Sequence, residues 1–357
     1  MNILITAPSL NPALNVNGIS TVVQTIIQNN EKHTYFHYLL GRPDKKQNKL
    51  LWLLQLIKQL VLFPVALKKN KIELVHQNLP FDMKGVLREY PINIWSRFFR
   101  VSVLLHIHGG LFMTQGTTSK FFQKLSRSLF QHANQVIVLS ELEQNVLHEK
   151  FGYSKAVVLS NSIDTAIYKS DQIKRWKDKP TLLYLGRIEK NKGIYELVAA
   201  LKLLKNEFDF RFELCGAGPM KDYCVETCHK MLGIDFEYIG VVSGEEKIHI
   251  IKRSHLFLLP SYFEGLPMAL LETMAAGVVP IVTNVGSMQH IIKHGINGLL
   301  VEKQNPQDLY EKLKLIISDR ELYDYLAANA TKTIKENFDI KNYIIQLNEL
   351  YKAASTK

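Results

Sequence analysis

Two carboxylates, Glu264 and Glu272, lie eight residues apart in the stretch EGLPMALLE, with a glycine, a proline and mostly apolar residues between them. The wider segment LFLLPSYFEGLPMALLETMAAG reads as strand, loop and helix, with Gly265 as the bend and Pro267 suited to the first helical position. Glu264 then precedes the helix and Glu272 sits in its second turn. Eight residues of helix span about 12 Å. The first backbone N–H groups, near Met268 and Ala269, lack intrahelical acceptors and lie between the two acids, where an anion is favoured. The spacing suits a ligand with hydroxyls at both ends and negative charge in the middle. It also suits an ordinary core helix that begins and ends with an acid.

Other residues with chemical potential follow strand-like runs. In GRIEKNKGI, Arg187 and Lys192 flank a loop that closes at Gly193 before a helical pattern. A planar guanidinium and a point-charge ammonium beside a helix start suit a diphosphate, although two basic residues in a polar loop are more often simply solvated. In HIHGG, His108 ends a strand, and His106 shares its face only if both still belong to that strand. APSLNPALNVNGIS carries a single Gly18 at a helix entry and no G-x-G-x-x-G, so a dinucleotide fingerprint is missing. Cys224, Cys228 and His229 lie together, but with no second ligand pair in view they read as helix residues, and no metal site is expected.

Elements that could position these groups recur at regular intervals. NILITA (2–7), YFHYLL (35–40), IELVHQ (72–77), VSVLLHIH (101–108), QVIVLS (135–140) and AVVLS (156–160) read as buried strands separated by helix-length segments. TLLYLG (181–186), FRFELCG (210–216), FEYIG (236–240), LFLLP (256–260), VPIVT (279–283) and GLLVE (298–302) repeat the scheme. The expected fold is α/β: two doubly wound, Rossmann-like domains with parallel sheets, facing each other across a cleft. Residues 1–163 form the first domain and 164–338 the second. The polar piece 164–180 joins them, and an amphipathic helix at 339–357 packs back toward the first.

Composition narrows the partners. Of 357 residues, 46% are hydrophobic and 22% charged, as in a soluble globular protein. Three cysteines are too few for a disulfide framework, and the N-terminus lacks a signal-peptide pattern, so a cytoplasmic location is expected. Residues 1–170 hold 19 basic and 9 acidic side chains, whereas 171–357 hold 25 and 24. The excess in the first half suggests an anionic partner: the inner leaflet of a membrane or, less consistently with basic residues interleaved among core helices, nucleic acid. The apolar run 49–71, broken by Lys58 and Pro64, reads first as a core helix, with an interfacial helix as its rival. Paired phenylalanines beside basic residues in SRFFR (96–100) and SKFFQKLSRSLF (119–130) favour peripheral attachment to the cytoplasmic leaflet.

Taken in order and spacing, EGLPMALLE, GRIEKNKG (186–193), CGAGP (215–219), NSID (161–164) and GINGLLV (295–301) resemble the retaining glycosyltransferases of family 4, with GT-B architecture. The first loop carries one glycine where many members have two, and NSID replaces the commoner Asn-Gly form. The resemblance implies a nucleotide-sugar donor, UDP-linked by family frequency, and a metal-independent transfer of a hexose or N-acetylhexosamine; no Asp-x-Asp occurs in the chain. Glu272 would bind the ribose. Glu264 would hold the donor sugar, with Gly265, Leu266, Pro267 and Met268 alongside, while Arg187 and Lys192 neutralise the diphosphate. Gly18 would meet that diphosphate, and His108 would sit near the sugar. The acceptor would be a saccharide, lipid-linked, in cell-surface polysaccharide or glycolipid assembly. A non-catalytic partner of the same fold, and an epimerase or hydrolase, are the alternatives.

Overall fold

The computed structural model describes residues 1–11, 18–41, 49–114, 116–169 and 175–356. The chain divides into two compact units, residues 1–162 with 340–357, and residues 163–339. In the first, β1 (Asn2–Ala7), β2 (Thr34–Leu39), β3 (Leu74–Leu79), β4 (Ser102–Ile107), β5 (Gln135–Val138) and β6 (Val157–Val158) form a sheet in the order β2-β1-β3-β4-β5-β6. In the second, β7 (Thr181–Leu185), β8 (Arg211–Cys215), β9 (Phe236–Gly240), β10 (Leu256–Leu259), β11 (Val279–Thr283) and β12 (Leu299–Val301) run β12-β11-β10-β7-β8-β9. All twelve strands expected from the sequence form, and their recorded pairings are all parallel.

Burial departs from expectation at the sheet edges. β2 and β9 have a neighbour on one side only and keep much of their surface exposed. Their polar-rich sequences, TYFHYL and FEYIG, tolerate water where the central runs of Val, Leu and Ile do not.

Strand alternation gives the first sheet two different faces. Val103, Leu105 and Ile107 of β4 enter the apolar clusters around Phe63, Phe81, Phe130 and Phe151. Leu104 and His106 take the other face, toward the C-terminal helix Ile340–Ser355. The helix Lys49–Lys69 is not the core helix it first reads as. Phe63 and Leu67 are buried, but Leu50, Leu51, Leu53, Leu54, Ile57, Val61, Leu62 and Val65 are all exposed. Over Leu50–Lys69 it is long and apolar enough to cross a membrane, and little of that stretch is buried.

The segment expected as a linker is packed where it is described. Asp164 caps a short helix, Thr165–Tyr168, by accepting from the Ala166 N–H. Trp176 is buried against Tyr323, with the Arg320 guanidinium 3.9 Å above its ring. Residues 170–174 lie outside the described residues.

Removing a core anchor and removing an exposed apolar residue of the same helix should differ sharply. Phe63→Ala is expected to destabilise the first unit by about 3–5 kcal/mol, whereas Leu54→Gln changes it by less than about 0.5 kcal/mol. Urea unfolding followed by circular dichroism checks this; similar costs for both would contradict the burial pattern.

Candidate active site

In an open parallel sheet, ligands bind beyond the strand C-termini at the point where strand order reverses. In the second unit that point lies between β7 and β10, and the loops leaving these two strands carry GRIEKNKGI and SYFEGLP. After β7 the chain makes a single 3₁₀ turn, Lys190–Lys192, and ends it at Gly193 with φ of 71°. A Cβ at Gly193 would sit 2.0 Å from the Pro260 carbonyl oxygen, so only glycine lets the two loops approach this closely. The Tyr262 N–H donates to the Asn191 carbonyl at 2.8 Å, tying the loops backbone to backbone.

This approach delivers Lys192 to Glu264. The ammonium lies 2.7 Å from Glu264 Oε1, which also accepts from the Ser261 hydroxyl at 2.7 Å. The Ser261 carbonyl in turn accepts from the Thr283 hydroxyl at 2.5 Å. Behind Glu264, Gly286 is again left-handed, and a Cβ there would lie 1.9 Å from the Glu264 carbonyl oxygen. The pair is only 18% and 11% exposed, so its attraction is screened less than that of a surface ion pair.

The helix that follows, Met268–Ala275, starts one residue later than the sequence suggests. Pro267 is its cap, in extended conformation with φ of −70° and ψ of 126°, rather than its first residue. Gly265, Leu266 and Pro267 therefore belong to the loop, and only part of the Glu264–Glu272 separation is helical. Glu272 still falls in the second turn and is buried, with Lys247 Nζ at 2.6 Å. Burial and the neighbouring Glu272 carboxylate push the Tyr168 phenol well above its ordinary range. Sequence reasoning missed both partners. Lys247 is one of several charges on the amphipathic helix Gly244–Arg253, and Tyr168 is one aromatic in a polar stretch. Neither has a spacing relation to Glu272, and only the fold joins them.

Arg187 does not join Lys192 as a fixed pair. Its backbone is held by the Tyr184 hydroxyl, which donates to the Arg187 carbonyl at 2.6 Å, and next to it the Ile188 N–H donates to Ala217 of the CGAGP segment at 3.0 Å. The side chain is exposed, and its guanidinium makes no ion pair among the described residues.

His108 and Gly18 belong to the first unit. Gly18 opens the helix Gly18–Asn29; a Cβ there would meet nothing within 4 Å, so packing among the described residues does not demand glycine. Residues 12–17 of its loop lie outside the described residues. β4 ends at Ile107, yet the His108 N–H donates to the Leu79 carbonyl at 2.9 Å and prolongs the ladder by one residue. The rings of His106 and His108 thus share a face, with centroids 4.0 Å apart. His106 Nδ1 is 3.2 Å from His76 Nε2, and His76 Nδ1 is 2.7 Å from the Tyr351 hydroxyl of the C-terminal helix. Burial lowers His76 and His108 to about 3 and His106 well below its usual value, so all three are neutral near pH 7.

Comparison with known proteins agrees with this architecture. Residues 168–333 match the family model "Glycosyl transferases group 1", and residues 17–167 match "Glycosyltransferase Family 4". An uncharacterized glycosyltransferase of Methanocaldococcus jannaschii is 30% identical over 50% of this chain and 46% of its own length, so the match spans about half of that relative. The N,N'-diacetylbacillosaminyl-diphospho-undecaprenol alpha-1,3-N-acetylgalactosaminyltransferase of Campylobacter jejuni is 26% identical over 67% of this chain and 66% of its own. HepE of Anabaena, solved in complex with UDP-glucose, superposes with a TM-score of 0.78 at 17% identity, covering 99% of this chain and 100% of that one. The two sheets and their order define a GT-B fold. The chain belongs to the glycosyltransferases of the family 4 type.

The histidine cluster sets an acid limit on stability. An unfolded imidazole takes up its proton near pH 6.5, and the folded ones resist until far lower pH. Because the folded-state values are depressed, the stabilisation is complete above pH 6.5 and drains away as pH falls toward 3. Each histidine adds a slope of up to about 1.4 kcal/mol per pH unit in that window. Thermal unfolding between pH 7 and pH 4.5 should show a steep loss that is shallower in His76→Gln; a profile identical in both proteins would contradict the neutral, buried assignment.

Proposed function

We propose that the protein is a retaining, metal-independent glycosyltransferase that moves a hexose or N-acetylhexosamine from a UDP-sugar to a lipid-linked saccharide, in cell-surface polysaccharide or glycolipid assembly. The observation that carries this reading is the Lys192–Glu264 pair at the strand-order reversal, with Glu272 further along the helix that begins beside it. Glu264 accepts from hydroxyls of the donor sugar, alongside the backbone of Gly265 to Met268. Glu272, held by Lys247, accepts from the ribose diol. The diphosphate lies between them, near the open N–H groups at the start of the helix Met268–Ala275. HepE, solved with UDP-glucose, supports the choice of UDP.

Glycosyl transfer builds positive charge at the anomeric carbon and negative charge on the departing diphosphate. Lys192 and the unpaired Arg187 meet that negative charge, the role a metal plays where an Asp-x-Asp holds one. The acceptor oxygen forms its bond to the anomeric carbon on the face that UDP leaves, and the acceptor's proton passes to the leaving phosphate oxygen. Configuration is kept without a protein nucleophile. The resemblance to the family assigns His108, neutral and fixed, to the sugar and Gly18 to the diphosphate.

The acceptor side rests on the first unit. The exposed apolar residues of the helix Lys49–Lys69 are interrupted by Lys58 and give way to Lys68 and Lys69 in its last turn. The helices Met83–Phe98 and Lys120–His132 continue the layer, with Phe98 and Phe121 exposed. Apolar side chains beside lysines, in the half of the chain that carries the charge excess, suit the interface of an anionic leaflet. A relative whose named acceptor is a diphospho-undecaprenol saccharide supports the same choice. The protein then works peripherally on the inner face of the cell membrane.

Two measurements test this reading. Arg187→Ala and Lys192→Ala should each lower kcat for UDP-sugar turnover by more than roughly a hundredfold, while Glu272→Gln mainly raises KM for the donor; near-normal turnover in the first two would refute the phosphate clamp. The protein should also sediment with phosphatidylglycerol vesicles at low salt and release at high salt. A Leu54→Ser/Ile57→Ser/Val61→Ser variant should stay in the supernatant; equal sedimentation of both proteins would remove the membrane face.

A further inference from the structure

We infer that Asn78 is a positioning residue that locks His108 into a single tautomer, with its proton on Nε2 and a lone pair on Nδ1. The Asn78 carboxamide has one orientation that satisfies its neighbours. Asn78 is the next-to-last residue of β3 and is buried beside Thr6 of β1. Its Nδ2 donates to the Thr6 carbonyl at 2.8 Å, and its backbone N–H donates to the Thr6 hydroxyl at 3.0 Å. A peptide carbonyl can only accept, so the amide nitrogen must face Thr6 and the amide oxygen must face away. That oxygen lies 2.6 Å from His108 Nε2. An amide oxygen also only accepts, so Nε2 carries the hydrogen. In a neutral imidazole the other nitrogen then has none.

The ring is oriented as well as protonated. His106 lies against its face, itself held by His76, and no described residue hydrogen bonds His108 Nδ1. An imidazole fixed this way presents an acceptor. It suits a hydroxyl donor, such as a sugar hydroxyl, and offers nothing to a phosphate oxygen. The inference deepens the proposed function and rests on it for the identity of that hydroxyl, although the tautomer lock stands on the structure alone. Asn78 acts through His108 and need not touch substrate.

The test is long-range ¹⁵N–¹H correlation on the full-length, ¹⁵N-histidine-labelled protein at pH 7.5, with His108→Gln used to assign its signals. The wild type should show His108 Nε2 protonated and Nδ1 bare. In Asn78→Ala the two tautomers should mix and kcat should fall roughly tenfold, with the Kd for UDP unchanged by calorimetry. Thr6→Val, which loosens the same strand pair but leaves the carboxamide lock, should keep the wild-type tautomer. A wild-type His108 protonated on Nδ1, or on both nitrogens, overturns the inference, as does an Asn78→Ala protein with unchanged tautomer and kcat. The wild-type spectrum decides even if Asn78→Ala fails to fold. Failure of the UDP-sugar reading would appear separately, as absent UDP binding in a wild type whose His108 tautomer is as stated.

Discussion

The ion pair between Lys192 and Glu264 is the contact on which the rest of the second unit's chemistry depends. A buried or half-buried pair is worth little for stability unless both charges are otherwise satisfied, because each loses hydration. Here the carboxylate gains a second donor in Ser261, whose own carbonyl is held by Thr283. The loops meet only because residues 193 and 286 have no side chain to keep their neighbours apart. On the proposed reading, the arrangement offers two things at once on one edge of a sheet, an acceptor for hydroxyls and a cation for a leaving anion. Such a site reorganises little when charge develops, and that is how fixed groups lower a barrier.

The first unit solves a different problem with the same kind of sheet. It must hold neutral imidazoles in place, and it does so by spending one sheet face on polar groups. His76, His106 and Asn78 all point to the face that the C-terminal helix covers, and Tyr351 of that helix completes the set. The opposite face carries the phenylalanine core. Unlike a surface histidine, these rings resist protonation at neutral pH because burial disfavours the charged form, which trades acid tolerance for a defined hydrogen-bond pattern.

Much of this was legible in the residues, for identifiable reasons. Twelve strands were visible because most central parallel strands are rich in Val, Leu and Ile and helices of crossover length separate them. EGLPMALLE and GRIEKNKG could be placed after strands, and that fixed them at the sheet's C-terminal edge. What stayed hidden depended on contacts between distant segments. Lys247 and Tyr168 reach Glu272 from separate elements, and Asn78 is an ordinary strand residue until β1 and β3 are paired. The helix Lys49–Lys69 misled because its apolar residues run all round it, so periodicity gave no face to bury; packing decided that Phe63 and Leu67 go in and the leucines stay out. Arg187 and Lys192, alike in sequence, part company in space, one exposed and without an ion pair among the described residues, the other held.

The central claim is that the β7–β10 edge of the second unit takes a nucleotide diphosphate without help from a metal. Amide chemical-shift mapping of UDP binding in the presence of EDTA tests it most directly. UDP should bind saturably, with the largest shifts at residues 187–193 and 264–269. Binding that vanishes with EDTA, or shifts confined to other parts of the chain, would contradict it.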